Sequence, residues 1–315
     1  MSTPLFFQPL YMPRIWGGQN LRTLCRRDIP ADRPVGESWE LVDRPEAQSV
    51  TAPGGISLHD LWTGPDKTNL FGTRAPDSPR FPILVKLLDA TDKLSLQVHP
   101  PADRAARLGG EPKTEMWYFL HTEPGAEIYV GLRSGVTRAD FEKALQEGTV
   151  AGCFHRLKTA PGETMFLPSG RVHAIGAGNL ILEIQQNSDT TYRVYDWNRV
   201  DAQTGQPRNL HVRESLESIR FDDFEPVFTQ PHGERVLRTD YFEVDRIPFY
   251  DRETRDLSFD GSTFRMVYVT RGSFRFMDRE WNLGDAVFFP ANHDPVEWEA
   301  VSDYAELVGV GFPEK

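Results

Sequence analysis

Proline and glycine cut this chain of 315 residues into pieces that suit strands better than helices. It holds 24 Pro and 25 Gly, and most apolar runs between them are about one strand long. Val, Ile, Phe, Tyr and Trp are prominent in those runs, which favours extended structure. Strands are expected at Phe81–Leu88, Glu115–Leu120, Glu127–Leu132, Thr164–Leu167 and Leu180–Gln186. Further ones are expected at Phe264–Val269, Ser273–Met277, Ala286–Phe289 and Glu306–Val310. Helical signals are few. Thr137 and Asp140 form a capping-box pattern ahead of Phe141, Ala144 and Leu145, with Gly148 able to end the helix. Shorter helices are expected near Val212–Ile219 and Ser57–Trp62. The expected class is mainly β and mostly antiparallel, with a small helical insertion near 137–150.

At this length, with 39% hydrophobic and 26% charged residues, the chain can bury a sizeable core as one large or two smaller domains. A net charge of −11 argues against nucleic acids and anionic membranes as partners. An anionic ligand would need a local basic pocket set against that field. Cys25 and Cys153 lie far apart with no CxxC spacing, so two lone buried thiols and a reducing compartment are expected. The opening Met-Ser-Thr-Pro-Leu-Phe-Phe-Gln has no basic stretch leading into an apolar one, and no run reaches membrane-spanning length. A cytoplasmic protein with no membrane partner, monomeric or weakly homo-oligomeric, is the expectation.

The chain also repeats itself. Gly162 is followed by Pro168 and then His173; downstream, Gly284 is followed at the same interval by Pro290. In each copy glycine permits a tight turn, an apolar run forms a core strand, and proline ends its pairing. This spacing resembles the second motif of the cupin β-barrel family, and implies two cupin-like jelly-roll barrels in tandem. Pro295 falls at the position of His173, so no metal is expected in the second copy. The segment Glu225–Glu234, with two prolines and a glycine, reads as a linker. It separates an N-terminal domain, 1–230, from a C-terminal cupin-like domain, 231–315, the first being the one expected to carry the functional site.

Four polar side chains stand out in apolar surroundings. Gln97 and His99 are two apart in the β-type run Leu94–His99, so both project from one face of a strand. Glu115 opens an apolar strand, and His173 follows the turn after Pro168. A single histidine in an apolar strand is more often a hydrogen-bonded core residue, and glutamine is a weak ligand. Their convergence inside one barrel is what points to a shared divalent metal. The mixed nitrogen and oxygen set suits Zn²⁺, with Mn²⁺, Fe²⁺ or Ni²⁺ left open. Lys86 interrupts Phe-Pro-Ile-Leu-Val-Lys-Leu-Leu, a costly position unless it is paired or faces a polar cavity. Lys113 shares the face of Glu115 if that strand extends back, and is otherwise a solvated loop residue. Arg193, near Asp189 and Thr191, can face an oxyanion or form a surface salt bridge.

Taken together, the segments Ile15–Gly18, Gly36–Glu40, Leu94–Pro100, Lys113–Trp117, Phe166–His173 and Asn187–Arg193 resemble the type I phosphomannose isomerases in their short bacterial form. The resemblance implies one Zn²⁺ per chain held by Gln97, His99, Glu115 and His173. It implies an active-site arginine at Arg193 and pocket positions at Ser95, Lys86, Lys113 and Asp189, with Glu37 and Trp16 lining or supporting the pocket. Longer members carry a histidine just before the lysine; Pro112 stands there in this chain. The implied reaction interconverts mannose 6-phosphate and fructose 6-phosphate through an enediol. Arg193 would stabilise the enediolate, and Lys86, Lys113 or a metal-bound water would move the proton. A glucose 6-phosphate isomerase of the same fold and a sugar-phosphate-binding protein without catalysis remain as alternatives.

Overall fold

The structure is a computed structural model that describes residues 3–200 and 205–314. Antiparallel strands dominate. Apart from the two-residue strands Asp43–Arg44 and Ala47–Gln48, the first eleven among the described residues are β1 (Leu10–Gly18), β2 (Val35–Leu41), β3 (Ile83–Ala90), β4 (Leu96–Val98), β5 (Glu115–Thr122), β6 (Glu127–Leu132), β7 (Phe154–Lys158), β8 (Thr164–Leu167), β9 (His173–Ile175), β10 (Asn179–Gln186) and β11 (Tyr192–Tyr195). The remaining nine are β12 (Arg235–Arg238), β13 (Glu243–Tyr250), β14 (Thr254–Leu257), β15 (Arg265–Arg271), β16 (Phe274–Phe276), β17 (Arg279–Trp281), β18 (Ala286–Phe289), β19 (Val296–Ala300) and β20 (Tyr304–Gly311).

These strands form four main sheets. A six-stranded sheet runs β1-β2-β3-β10-β5-β8 and a five-stranded one β11-β4-β9-β6-β7. In the C-terminal part the orders are β12-β13-β20-β15-β18 and β14-β19-β16-β17. The repeat seen in the Gly-to-Pro spacing extends to the whole topology. Each strand from β2 to β10 has a counterpart ten labels later, in the same place within its sheet. Gly162 and Gly284, at φ +90° and +82°, make the matching turns. Both lead into edge strands, β8 and β18, that pair with β5 and β15 respectively.

The sheets stack in layers. Trp117, Phe119 and Ile181 of the six-stranded sheet pack on Ile128, Val130 and Ile175 of its five-stranded neighbour. Its opposite face, through Leu87, Tyr118, Leu182 and Ile184, packs on Val244, Tyr268, Val308 and Val310 of the C-terminal part. A third core, with Phe249, Val267 and Leu307 facing Phe276, Trp281 and Trp298, fills the C-terminal pair. The central sheet is therefore covered on both sides, which is why β3, β5 and β10 read as largely apolar runs, broken by charge only at positions such as Lys86 and Glu183.

Several expectations change in detail. The strand expected from Phe81 begins at Ile83. The Phe81 N–H donates to Asp43 Oδ2 at 2.9 Å, and Pro82 has no N–H to pair. Two closed barrels are not seen: among the described residues no sheet closes on itself. Edge strands of facing sheets do not pair, so side chains between the layers hold each pair of open sheets together. The helix Arg138–Gln146 has the expected capping box at Thr137 and Asp140. The helices Leu58–Thr63 and Val212–Ser218 lie within a residue of their expected places. The segment 225–234 is irregular, and Thr229 bonds the edge strand β8 through Thr164 and Phe166. Both cysteines are buried and unpaired. No described helix is long and apolar enough to cross a membrane.

Leu182, fully buried between the central sheet and the C-terminal part, tests the layering. Leu182→Ala is expected to cost about 2–5 kcal/mol. Urea denaturation should still show a single transition, because the cavity opens in a core that both halves share.

Candidate metal centre and cavity

His99, Glu115 and His173 bring one ligand atom each to within 4.8 Å of one another, all buried. Register does this. His173 on β9 sits directly opposite Gln97 on β4, and Glu115 opens β5 on the sheet packed against them. Glu115 Oε2 is 3.3 Å from His99 Nε2, and Oε1 is 3.2 Å from His173 Nε2. The Gln97 amide lies 3.4 Å from His173 Nε2.

The tautomers decide what these contacts mean. His99 Nδ1 is 2.8 Å from the Thr190 carbonyl, and His173 Nδ1 is 2.9 Å from the Arg171 carbonyl. A carbonyl only accepts, so each Nδ1 carries the proton and each Nε2 turns a lone pair toward Glu115. Burial, aided by Lys113, lowers both imidazoles; His99 adds to the effect on His173, which falls to about 3, so neither carries a second proton. Burial pushes the Glu115 carboxyl up, but Lys113 and the two histidines outweigh it and hold it well below its ordinary value. Lone pairs thus face a carboxylate. His99 Nε2 and Glu115 Oε1 are buried and accept no hydrogen bond. A cation between them resolves that conflict, and two imidazoles, one carboxylate and one amide fit a divalent ion of borderline softness.

A cavity of about 300 Å³ opens beside this group. Gln97 and Lys113 reach it from the ligand side, and it is also lined by Trp16, Glu37, Lys86, Ser95, Asp189 and Arg193. Every site residue expected from the sequence therefore lies either in the cavity wall or in the ligand cluster. Lys113 Nζ is 2.8 Å from Glu115 and 3.7 Å from Glu183. Burial favours its neutral form, but Glu115 and Glu183 outweigh this and raise its pKa. Lys86 Nζ has three carboxylates at 3.7–3.8 Å, from Glu37, Glu183 and Asp189. Arg193 pairs in register with Gln97 and donates from Nη1 to the Asn209 carbonyl at 2.9 Å. Its buried Nε has no acceptor, and among the described residues it forms no ion pair.

The same family is indicated from outside the chain. A profile described as phosphomannose isomerase type I, catalytic domain, matches residues 5–118. The mannose-6-phosphate isomerase ManA of Bacillus subtilis is 41% identical over 323 residues, spanning 98% of this chain and 98% of its own. This chain belongs to the type I phosphomannose isomerase family. The mannose-6-phosphate isomerase of Streptococcus mutans is 39% identical over 223 residues, covering 70% of this chain and 68% of that one. A crystal structure of the mannose 6-phosphate isomerase from Bacillus subtilis superposes with a TM-score of 0.84 at 29% identity, over 98% of this chain and 99% of that one.

Sequence reasoning missed Glu183, Arg14 and Arg208, which also line this isomerase-family cavity. Glu183 was detectable by the argument used for Lys86, since it interrupts Leu-Ile-Leu-Glu-Ile; the register sets the two directly opposite each other on β10 and β3. Burial, with Glu115 adding to it, raises the Glu183 carboxyl against the pull of Lys113 and Lys86, and Trp117 Nε1 donates to it at 3.0 Å. Arg14 grips Glu37 at 2.8 and 3.1 Å. Arg208 holds Asp196 through Nε at 2.7 Å and through Nη2, and no local pattern marked either arginine.

Three outcomes are expected. Adding Zn²⁺ to metal-stripped protein should raise Tm, since an ion that binds only the folded state stabilises it. Glu115→Gln should cut metal content about tenfold or more, as read by elemental analysis. Burial pushes the Glu37 carboxyl up, but Lys86 and Arg14 outweigh it and hold it at about 2. A lowered folded value means that the stabilisation is complete above the unfolded value of about 4.3 and is lost as pH falls toward 2. Glu37→Gln should therefore flatten the acid limb of the stability curve.

Proposed function

We propose that this chain interconverts mannose 6-phosphate and fructose 6-phosphate through an enediol, with one zinc ion held by Gln97, His99, Glu115 and His173. The observation that carries this reading is the set of lone pairs converging on Glu115 at the wall of a cation-rich cavity. A divalent ion there would supply Lewis-acid polarisation of the sugar oxygens. Arg193, beside Gln97 and without a carboxylate partner among the described residues, is suited to receive the negative charge that develops on oxygen when the C2 proton leaves. Lys113, with its pKa raised, keeps its proton and acts as a fixed charge, so the lysine base allowed by the sequence does not fall there. Glu183 supports the proton-transfer role better. It faces the cavity, burial and Glu115 raise its carboxyl above the ordinary value, and Lys86 and Lys113 flank it. Lys86 then balances the carboxylates of Glu37, Glu183 and Asp189, while Ser95 and Trp16 shape the wall.

The cavity wall holds five cationic side chains, Arg14, Lys86, Lys113, Arg193 and Arg208, against three carboxylates, Glu37, Glu183 and Asp189. That excess suits a phosphate dianion. Arg208, pre-aligned by Asp196, is assigned to it. We further assign residues 1–230 to a catalytic unit and 231–315 to a cupin-like unit, the two jelly rolls of a duplicated fold.

The test is a coupled assay on mannose 6-phosphate, run beside glucose 6-phosphate, with and without chelator. Turnover of the mannose sugar alone, lost on chelation and restored by Zn²⁺, is expected; a zinc-loaded protein that leaves it unchanged overturns the proposal. Arg193→Ala should keep its metal and lose about 10²–10³-fold in kcat. Arg208→Gln should raise KM and the inhibition constant of inorganic phosphate together, about tenfold, with kcat nearly unchanged.

A further inference from the structure

We propose that the C-terminal half carries a second ligand cavity, descended from the catalytic one, that binds a neutral hexose without a metal. The two halves match strand for strand, so each catalytic position has a counterpart in register. Lys86 lies opposite Glu183, and Glu183 opposite Trp117. In the second half Asp245 lies opposite Gly309, and Gly309 opposite Val267. Glu115 lies opposite Leu167, as Arg265 lies opposite Phe289. His173 lies opposite Gln97, as Val296 lies opposite Leu257. The Gly-to-Pro spacing places Pro295 at the histidine position; the register moves it by one to Val296. Neither residue can ligate a metal.

The cavity itself survives these replacements. One of about 350 Å³ lies at the matching place, and Asp245, Ile247, Leu257, Arg265, Val267 and Gly309 are in its wall. Gly309 is the change that opens it. A Cβ built there meets nothing within 4 Å, so the volume that the Glu183 side chain takes in the first half is available to a ligand. The charges have changed as well. Lysine has become aspartate, and the ligating glutamate has become arginine. The wall holds two guanidiniums, Arg255 and Arg265, against three carboxylates, Glu234, Asp245 and Asp256. Arg255 is paired with Glu234 at 2.8 Å, and Arg265 with Glu243 at 3.1 Å. No positive excess remains to receive a phosphate, unlike in the catalytic cavity.

Hydrogen-bonding capacity over an apolar floor does remain. Among the described residues Arg265 Nη1 donates to no acceptor; Asp245, whose Oδ1 is paired with Arg235, brings its Oδ2 to 3.4 Å from it, outside hydrogen-bond geometry. Planar guanidinium and carboxylate groups side by side match vicinal hydroxyls, each of which both donates and accepts. Ile247, Leu257 and Val267 offer an apolar surface to the C–H face of a ring. A neutral sugar ring satisfies all of these features. This inference stands apart from the catalytic reading, since none of its residues belongs to the first cavity.

The experiment titrates the full, zinc-loaded chain with unphosphorylated D-mannose, D-glucose and D-fructose, by calorimetry and saturation-transfer NMR. Saturable binding of at least one of them is expected in the millimolar range, unchanged when sugar phosphate fills the catalytic cavity. Gly309→Leu fills the pocket from within, and Ser258→Trp crowds its mouth from an exposed position. Each should weaken hexose binding about tenfold or more, the scale of lost complementarity in a small-ligand pocket, while isomerase kcat/KM is unchanged. If Gly309→Leu does not fold, Ser258→Trp decides the matter. No saturable binding of any of the three, binding that persists in the folded variants, or displacement by sugar phosphate would overturn the proposal.

Discussion

Everything at the candidate active site depends on one buried charge network on a single face of the central sheet. Glu183 on β10 is flanked by Lys86 on β3 and by Lys113, which leads into β5, and Lys113 in turn contacts Glu115. Each of these residues is at most 4% exposed. Removing ionised groups from water is expensive unless opposite charges and hydrogen bonds replace the solvent. Alternation along three antiparallel strands achieves that replacement, and a register shift of one residue would undo it by turning every charge toward the apolar face. The network therefore constrains the pairing of the sheet as much as the sheet positions the network.

The central sheet thus has two unlike faces. One presents charges to the cavity, and the other is apolar and sealed against the C-terminal half. In β5 the alternation passes through adjacent residues. Trp117 points toward the ligand cluster, packing edge-on to His173 at 5.3 Å between ring centroids while donating to Glu183. Tyr118 points the other way, and its hydroxyl bonds the buried Glu306, which also accepts from Tyr304 at 2.7 Å and Thr270 at 3.2 Å. The C-terminal half therefore grips the strand whose first residue is Glu115, the carboxylate of the candidate metal site.

How much of this was legible in the sequence depends on whether the signal was local. Gln97 and His99 were readable because two positions on one strand face need only the period of a strand. Lys86 was readable because a charge inside an apolar run is costly anywhere, and Glu183 obeys the same rule. Thr137 with Asp140 carried its helix start in four residues. Arg14 and Arg208 were hidden because their roles come from long-range pairing, across 23 residues to Glu37 and across 12 to Asp196. The closed barrels failed for a related reason: strand composition reports burial, whereas closure depends on which edges meet. The one-residue offset between Pro295 and Val296 has the same origin, since spacing along the chain does not record cross-strand register.

The segment after β10 shows how backbone groups complete what the side chains begin. The Asn187 amide donates to the Asp43 carbonyl at 2.6 Å, and Gln185 Nε2 to the Ser188 carbonyl at 2.6 Å, which anchors the turn. The Thr190 N–H then donates to Ser188 Oγ at 3.2 Å, aiming the Thr190 carbonyl at His99. That carbonyl holds the imidazole in the tautomer whose Nε2 can ligate, a role usually filled by a partner outside the ligand set. Asp189, between these residues, faces Lys86. One short turn thus orients a candidate metal ligand through its backbone and neutralises a cavity lysine through its side chain. Its residue types follow from those two roles. Small hydroxyl and amide side chains tie the chain to itself, and one carboxylate is directed at the cavity.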